Sequence, residues 1–131
     1  MTAEKRDWEA VERWLVVLIA LHSVGVGTIL VFFPGFAGRL AGWGEVRPDF
    51  FVRQGGAFHF AVAFGYLYEQ FRYRGVALLL FTKALATVFL LSMSAFAEVP
   101  WAIPFSGVTD GLMGAAAYLT HRRASRPKAG G

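Results

Sequence analysis

Charged and apolar positions alternate in the first thirteen residues, and then the charges stop. From Trp14 to Phe33 twenty residues pass without a formal charge. As a helix rising 1.5 Å per residue, that stretch is about 30 Å long, the thickness of a bilayer's hydrocarbon core. Three more apolar blocks follow, at about 51–71, 76–97 and 101–120, each with one or two ionisable residues embedded. The pattern predicts an all-α fold, a bundle of four transmembrane helices in one integral membrane domain covering residues 1–131.

Local signals refine these elements. Asp49 is placed to cap the second span through its carboxylate, and Pro100 and Pro104 suit the first turn of the fourth, where a missing N–H costs nothing. The short link Tyr73-Arg74-Gly75 makes spans two and three an antiparallel hairpin. Between Pro34 and Pro48, Phe36, Leu40 and Trp43 are spaced to lay a short amphipathic helix on the membrane surface. Residues 2–13 extend the first helix as a mixed-charge arm, with Trp8, Val11 and Leu15 on one face, and a solvated arm is the preferred reading. Residues 124–131 read as a disordered basic tail.

Composition strengthens the membrane reading. Hydrophobic residues make up 56% of the 131 and charged residues only 17%, more apolar surface than a soluble chain of this length can hide in one core. The formal charge of +4 and pI near 9.9 come from basic residues at helix ends, where anionic headgroups attract them. No nucleic-acid motif accompanies them, and no nucleic-acid partner is expected. With no cysteine, disulfides, thiolate metal sites and thiol redox chemistry are excluded.

A cleaved signal peptide is the rival reading of the first block. Against it, Glu4, Asp7, Glu9 and Glu12 are interleaved with Lys5, Arg6 and Arg13 ahead of the block, and the apolar run is longer than an h-region. Nine basic residues flank the spans on one side (Lys5, Arg6, Arg13, Arg72, Arg74, Arg122, Arg123, Arg126, Lys128) against Arg39, Arg47 and Arg53 on the other. The positive-inside rule then puts both termini in the cytoplasm of a multi-pass cell-membrane protein. Trp8, Trp14, Trp43, Trp101, Tyr73 and Tyr118 fall near the span boundaries, as an aromatic belt requires.

Ionisable groups at membrane depth each cost at least a few kcal/mol, so each needs a partner or a wet recess. In the second span Gly55, His59, Val62, Tyr66 and Glu69 share one helical face. Helical rise places His59 and Asp110 roughly 10 Å inside the outer boundary and Lys83 roughly 10 Å inside the inner one, with His22 about 6 Å deeper than His59. The expected ion pairs are Arg53 with Asp110 and Glu69 with Lys83. Such pairs fixing helix order are preferred to the alternative, a polar channel of His22, His59, Tyr66, Asp110 and Glu69 that holds a ligand or passes protons.

His22, His59 and Asp110 are metal-ligand types, but three separate helices supply them without a local spacing signature, and no metal site is expected. Ser23, Ser92, Ser94 and Ser106 lack a nucleophile-elbow context and are read as interhelical hydrogen-bond donors. Gly107, Gly111 and Gly114 give the fourth span a small-residue surface suited to close helix packing, within the chain in preference to a homo-oligomer seam.

Three features together, Arg53-Gln54-Gly55-Gly56, the hairpin closed by Arg72 to Gly75, and Ser106-Gly107-Val108-Thr109-Asp110-Gly111, resemble the small four-helix DoxX-like membrane proteins over roughly residues 13–121. The resemblance implies a compact bundle, with some relatives linked to quinone-coupled oxidation, and supplies no catalytic set to transfer. The expectation is therefore a non-enzymatic accessory or scaffolding membrane protein with membrane lipids, or a larger membrane complex, as partners and no obligatory cofactor. Two alternatives stand beside it: binding of a quinone or lipid, and a proton or ion conduit.

Overall fold

The computed structural model describes residues 3–126 and is all-helical over them. Its elements are α1 (Ala3–Phe32), α2 (Pro34–Leu40), α3 (Phe50–Tyr73), α4 (Ala77–Phe96) and α5 (Ala102–Ala124). The four long helices form a ring in which α1 packs on α3 and α5, and α4 packs on α5 and more lightly on α3. Helices α1 and α4 are each long and apolar enough to cross a membrane. The other two fall short of that test in composition: α3 carries Arg53, Gln54, His59 and Glu69, and α5 is diluted by glycine, alanine and Asp110.

A stripe of Glu12, Val16, Ile19, Ala20, Ser23 and Gly27 is the buried face of α1. It follows i, i+3, i+4 spacing, as one face of a helix must. On α3 the buried stripe is Gly56, Ala63, Tyr66 and Gln70. That face is turned by about one residue from the expected one, and Gly55 borders open space. The cause is the Gly27–Gly56 crossing: a Cβ on either residue would lie 2.8 Å from the other's carbonyl oxygen. Only glycine at both positions lets the α1 and α3 backbones come this close.

The α4–α5 seam uses the same device. Cβ atoms added at Gly107, Gly111 and Gly114 would meet Leu91 at 2.9 Å, Thr87 at 3.3 Å and Lys83 at 3.2 Å. Residues 83, 87 and 91 form an i, i+4 ridge, and the glycines of α5 form the groove that receives it. Where α1, α3, α4 and α5 converge, Val16, Ile19, Tyr66, Val76, Leu79 and Ala117 make the apolar core, with Tyr66 only 1% exposed. The outer faces of all four long helices show large apolar side chains to the surroundings, among them Leu18, Phe58, Phe64, Phe71, Phe81, Phe89, Val108 and Leu112.

Some local expectations change. Asp49 occupies the N-cap position of α3 but makes no side-chain cap; its Oδ2 accepts from Arg53 Nε at 3.0 Å instead, because the guanidinium one turn along offers a charged donor. The N-terminal segment is helical as an extension of α1 and exposed along Glu4, Arg6, Asp7, Ala10 and Val11, but one side of it is packed. Glu12 is buried, and Arg123 stacks over the Trp8 ring at 4.6 Å, so this end docks on the last turns of α5. Helix α5 continues to Ala124, which is buried, so the expected tail is helical at its first residue. Residues 127–131 of that tail lie outside the described residues.

Ser94 donates to Leu90 O of its own helix, as Thr28, Thr87, Thr109 and Thr120 do to theirs. For Ser94 this i−4 bond within the helix replaces the interhelical bond expected of it. On α2, Phe36 and Leu40 are exposed, as is Trp43 just beyond it. The loop that follows carries an exposed Glu45–Arg47 pair at 2.7 Å, in which the Arg47 hydrogen bond holds the Glu45 carboxyl below its usual range.

The glycine crossing gives a direct test. Gly56→Val should destabilise the detergent-solubilised protein by roughly 1–3 kcal/mol, the usual cost of overpacking. Gly25→Ala, which meets nothing within 4 Å, should be neutral or slightly stabilising. Thermal unfolding followed by circular dichroism measures both.

Candidate functional site: an apolar cavity and a polar recess at opposite ends

The central polar contact joins α4 to α5. Lys83 Nζ lies 2.5 Å from Asp110 Oδ1, with side chains 6% and 15% exposed. This pairing differs from the one that helical rise predicts, because rise fixes Cα depth and not the reach of a side chain. A lysine stem is long enough to run several ångströms along the seam, and the glycine groove lets α4 come close enough for it to reach Asp110. Arg53, expected to pair with Asp110, turns to the surface: it bonds Asp49 and donates from Nη1 to Val31 O at 2.5 Å, tying α3 to the end of α1.

Glu69, the expected partner of Lys83, instead closes the hairpin. Its Oε1 accepts from Ala77 N–H at 3.0 Å and its Oε2 from Leu78 N–H at 2.7 Å. These are free donors at the start of α4, where a carboxylate is favoured by both hydrogen bonding and the helix dipole. Arg74 takes a left-handed conformation at φ 54° to make the turn. A Cβ at Gly75 would sit 2.7 Å from Glu69 Oε1, so this glycine keeps the cap in place.

Beside the Lys83–Asp110 pair, toward the α1–α2 and α4–α5 connections, lies a cavity of about 450 Å³. Its walls are mainly apolar, with Leu30, Leu40, Trp43, Leu90, Trp101 and Phe105 among them. His22, His59, Ser106, Thr109 and Asp110 supply its polar positions. The structure therefore brings three of the four ligand candidates, His22, His59 and Asp110, to one cavity, and His22 is exposed at its edge. His59 Nδ1 is buried and has no hydrogen-bond partner among the described residues. Such an orphan is costly unless something polar reaches it. Tyr66, the fourth candidate, is absent from this lining and belongs to the apolar core.

At the opposite end, where the N-terminus, the hairpin and the end of α5 gather, a second recess of about 430 Å³ is lined by Lys5, Glu9, Glu12, Arg13, Gln70, Arg74, His121 and Ser125 among others. His121 Nδ1 is 2.8 Å from Glu12 Oε2, and His121 Nε2 is 3.3 Å from Ser125 Oγ. None of Glu12, Gln70, His121 and Ser125 stood out in the sequence as a site residue. The available signal was that Glu12 continues the Val16–Ala20 stripe of α1 by one turn, which marks it as inward-facing. Among the described residues no three of His, Asp and Glu form a set that could hold a metal ion.

The buried pair should behave asymmetrically under mutation. Asp110→Asn or Lys83→Met alone leaves one charge uncompensated and should cost about 3–5 kcal/mol, whereas Lys83→Met with Asp110→Leu should recover most of the loss. A double-mutant cycle on unfolding in mixed detergent micelles measures the coupling, and independent, additive losses would show that the pair does not act as a unit.

No family model, no curated protein and no solved structure matches this chain.

Proposed function

We propose that this chain is a four-span integral membrane protein with both termini cytoplasmic, and that its outer cavity binds an apolar molecule with a polar head, of the lipid or quinone class. Two helices meet the length and composition test for a span. The other two support spanning through their outer faces, where Phe51, Phe58, Phe64 and Phe71 on α3 and Phe105, Val108, Leu112 and Leu119 on α5 are exposed. A contiguous apolar surface on every side of a bundle is what a lipid solvent requires and what water penalises.

The observation that carries the binding reading is the cavity itself. Its volume falls in the range of small-molecule sites, and its makeup, apolar walls with a few convergent polar groups, is the usual one for such sites. His59 and Asp110 would address the head of a ligand, and Trp43, Trp101 and Leu90 its apolar body. Lys83 then has a supporting part, holding the Asp110 carboxylate in place from α4.

A scaffolding role remains the second reading, favoured by the direct Lys83–Asp110 contact and the glycine seams, which fix helix order without needing a ligand. A continuous conduit has less support. The core of Val16, Ile19, Tyr66, Leu79 and Ala117 stands between the two recesses, and no polar group of the outer cavity reaches the inner one.

Two measurements test this reading. The chain has no native cysteine, so Glu45→Cys and Arg126→Cys can be labelled in intact spheroplasts with a membrane-impermeant maleimide. Only Glu45→Cys should react before lysis; labelling of both, or only of Arg126→Cys, overturns the topology. For the ligand, a short-chain ubiquinone analogue should quench the fluorescence of Trp43 and Trp101 saturably. Filling the cavity with Leu30→Phe or Ala102→Phe should weaken that binding about tenfold or more, equivalent to ~1.4 kcal/mol. Quenching that never saturates, or is equal in the filled variants, sinks the binding reading and leaves the scaffold.

A further inference from the structure

The recess at the terminal end has features that fold maintenance alone does not account for. Three cations, Lys5, Arg13 and Arg74, face two carboxylates, Glu9 and Glu12, around it. Glu12 is already satisfied by His121 at 2.8 Å. Arg74 is held only loosely, 3.8 Å from Glu9 with its side chain 72% exposed, so most of its guanidinium donors remain free. A surplus of unsaturated cationic donors in a concave site selects an anion with several acceptor oxygens.

The recess also contains a group that a simple anion would not satisfy. Gln70 is 5% exposed, and its Oε1 has no hydrogen-bond partner among the described residues. A hydroxyl is the group that satisfies a side-chain amide in either orientation, because it both donates and accepts. Next in sequence, Phe71 also lines the recess and presents its ring to the outside of the bundle. Cationic donors, a buried amide and an apolar flank therefore occur side by side.

We infer that this recess binds an anionic phosphodiester headgroup bearing free hydroxyls, the phosphoglycerol class, with the attached acyl chains running down past Phe71. The inference rests on the membrane reading, which sets the recess at the cytoplasmic boundary: its residues sit just beyond the first span, at the end of the second and just beyond the fourth. Arg13, Arg74 and Lys5 take the phosphate oxygens, and Gln70 takes a glycerol hydroxyl. A choline headgroup offers no hydrogen-bond donor for Gln70 and brings a cation toward Arg13. An ethanolamine headgroup carries no net charge to match the surplus.

The full-length protein, delipidated in mild detergent, is offered an equimolar mixture of phosphatidylglycerol, phosphatidylethanolamine and phosphatidylcholine, and retained lipid is read by native mass spectrometry. Phosphatidylglycerol should be retained about fivefold or more over either other lipid, on the scale expected for a basic residue at an anionic membrane surface. Gln70→Leu and Arg13→Gln should each bring that preference close to parity, while Arg39→Gln at the other end should leave it unchanged. Arg13 is exposed, so its variant keeps the test meaningful if the Gln70 variant folds poorly. Equal retention of the three lipids, or a preference untouched by Arg13→Gln, overturns the inference.

Soluble sn-glycerol 1-phosphate separates the two sources of the same chemistry. Failure to displace the retained lipid at millimolar concentration supports a lipid held also by its chains; displacement at micromolar concentration overturns the lipid assignment in favour of a free phosphate ester. Failure of the membrane reading would show separately, in the maleimide labelling, and a correctly inserted protein without headgroup preference would refute this site alone.

Discussion

Close backbone approach at glycine governs this bundle, and the α4–α5 seam shows how much follows from it. Lys83 reaches Asp110 because Gly111 and Gly114 leave no side chains in the way of the ridge formed by residues 83, 87 and 91. The ion pair in turn fixes where Asp110 sits, and Asp110 is part of the apolar cavity's lining. The Gly27–Gly56 crossing does the equivalent for the other half, bringing α3 against α1 so that His59 stands across the cavity from α5. Helices that meet through small residues gain dispersion energy over a long contact.

Between its two ends the molecule has an apolar core. Tyr66, Val16, Ile19, Leu79 and Ala117 fill the middle of the ring, with the apolar cavity on one side of that layer and the polar recess on the other. The arrangement separates two kinds of electrostatics. In the middle a single buried pair neutralises itself at short range, while toward the hairpin and the terminal segments charges are numerous, partly exposed and incompletely matched. Those charges are screened by water and salt and contribute little to stability one by one, so their crowding around a recess is more informative about recognition than about folding.

The sequence made the helices legible because their signals are local. Long apolar runs, prolines at helix starts and the Arg74-Gly75 turn set the boundaries of all four long helices to within a few residues, apart from the extensions of α1 and α5. Pairing was far less legible. Glu69 and Lys83 lie near the same end by Cα position, yet Glu69 satisfies backbone donors and Lys83 extends toward Asp110. A carboxylate placed one turn before a tight hairpin has unpaired N–H groups within reach, a nearer partner than any distant ammonium, and that consideration was available in principle. The rotation of α3 was not, because it depends on which glycine of Gly55-Gly56 meets Gly27. The recess at the terminal end was missed for a related reason: its residues come from three separate places in the chain, and each alone reads as an ordinary helix end.

The clasp between Glu12 and His121 joins positions 109 residues apart, the first long helix to the last. Since α5 supplies the imidazole, the buried Glu12 carboxylate has this partner only when α1 and α5 are packed together. The hairpin of α3 and α4, by contrast, carries its own cap in Glu69 and can settle as soon as it is complete. The recess at this end therefore takes its walls from α1, the end of α3 and the end of α5, and it is complete only when all three are packed together.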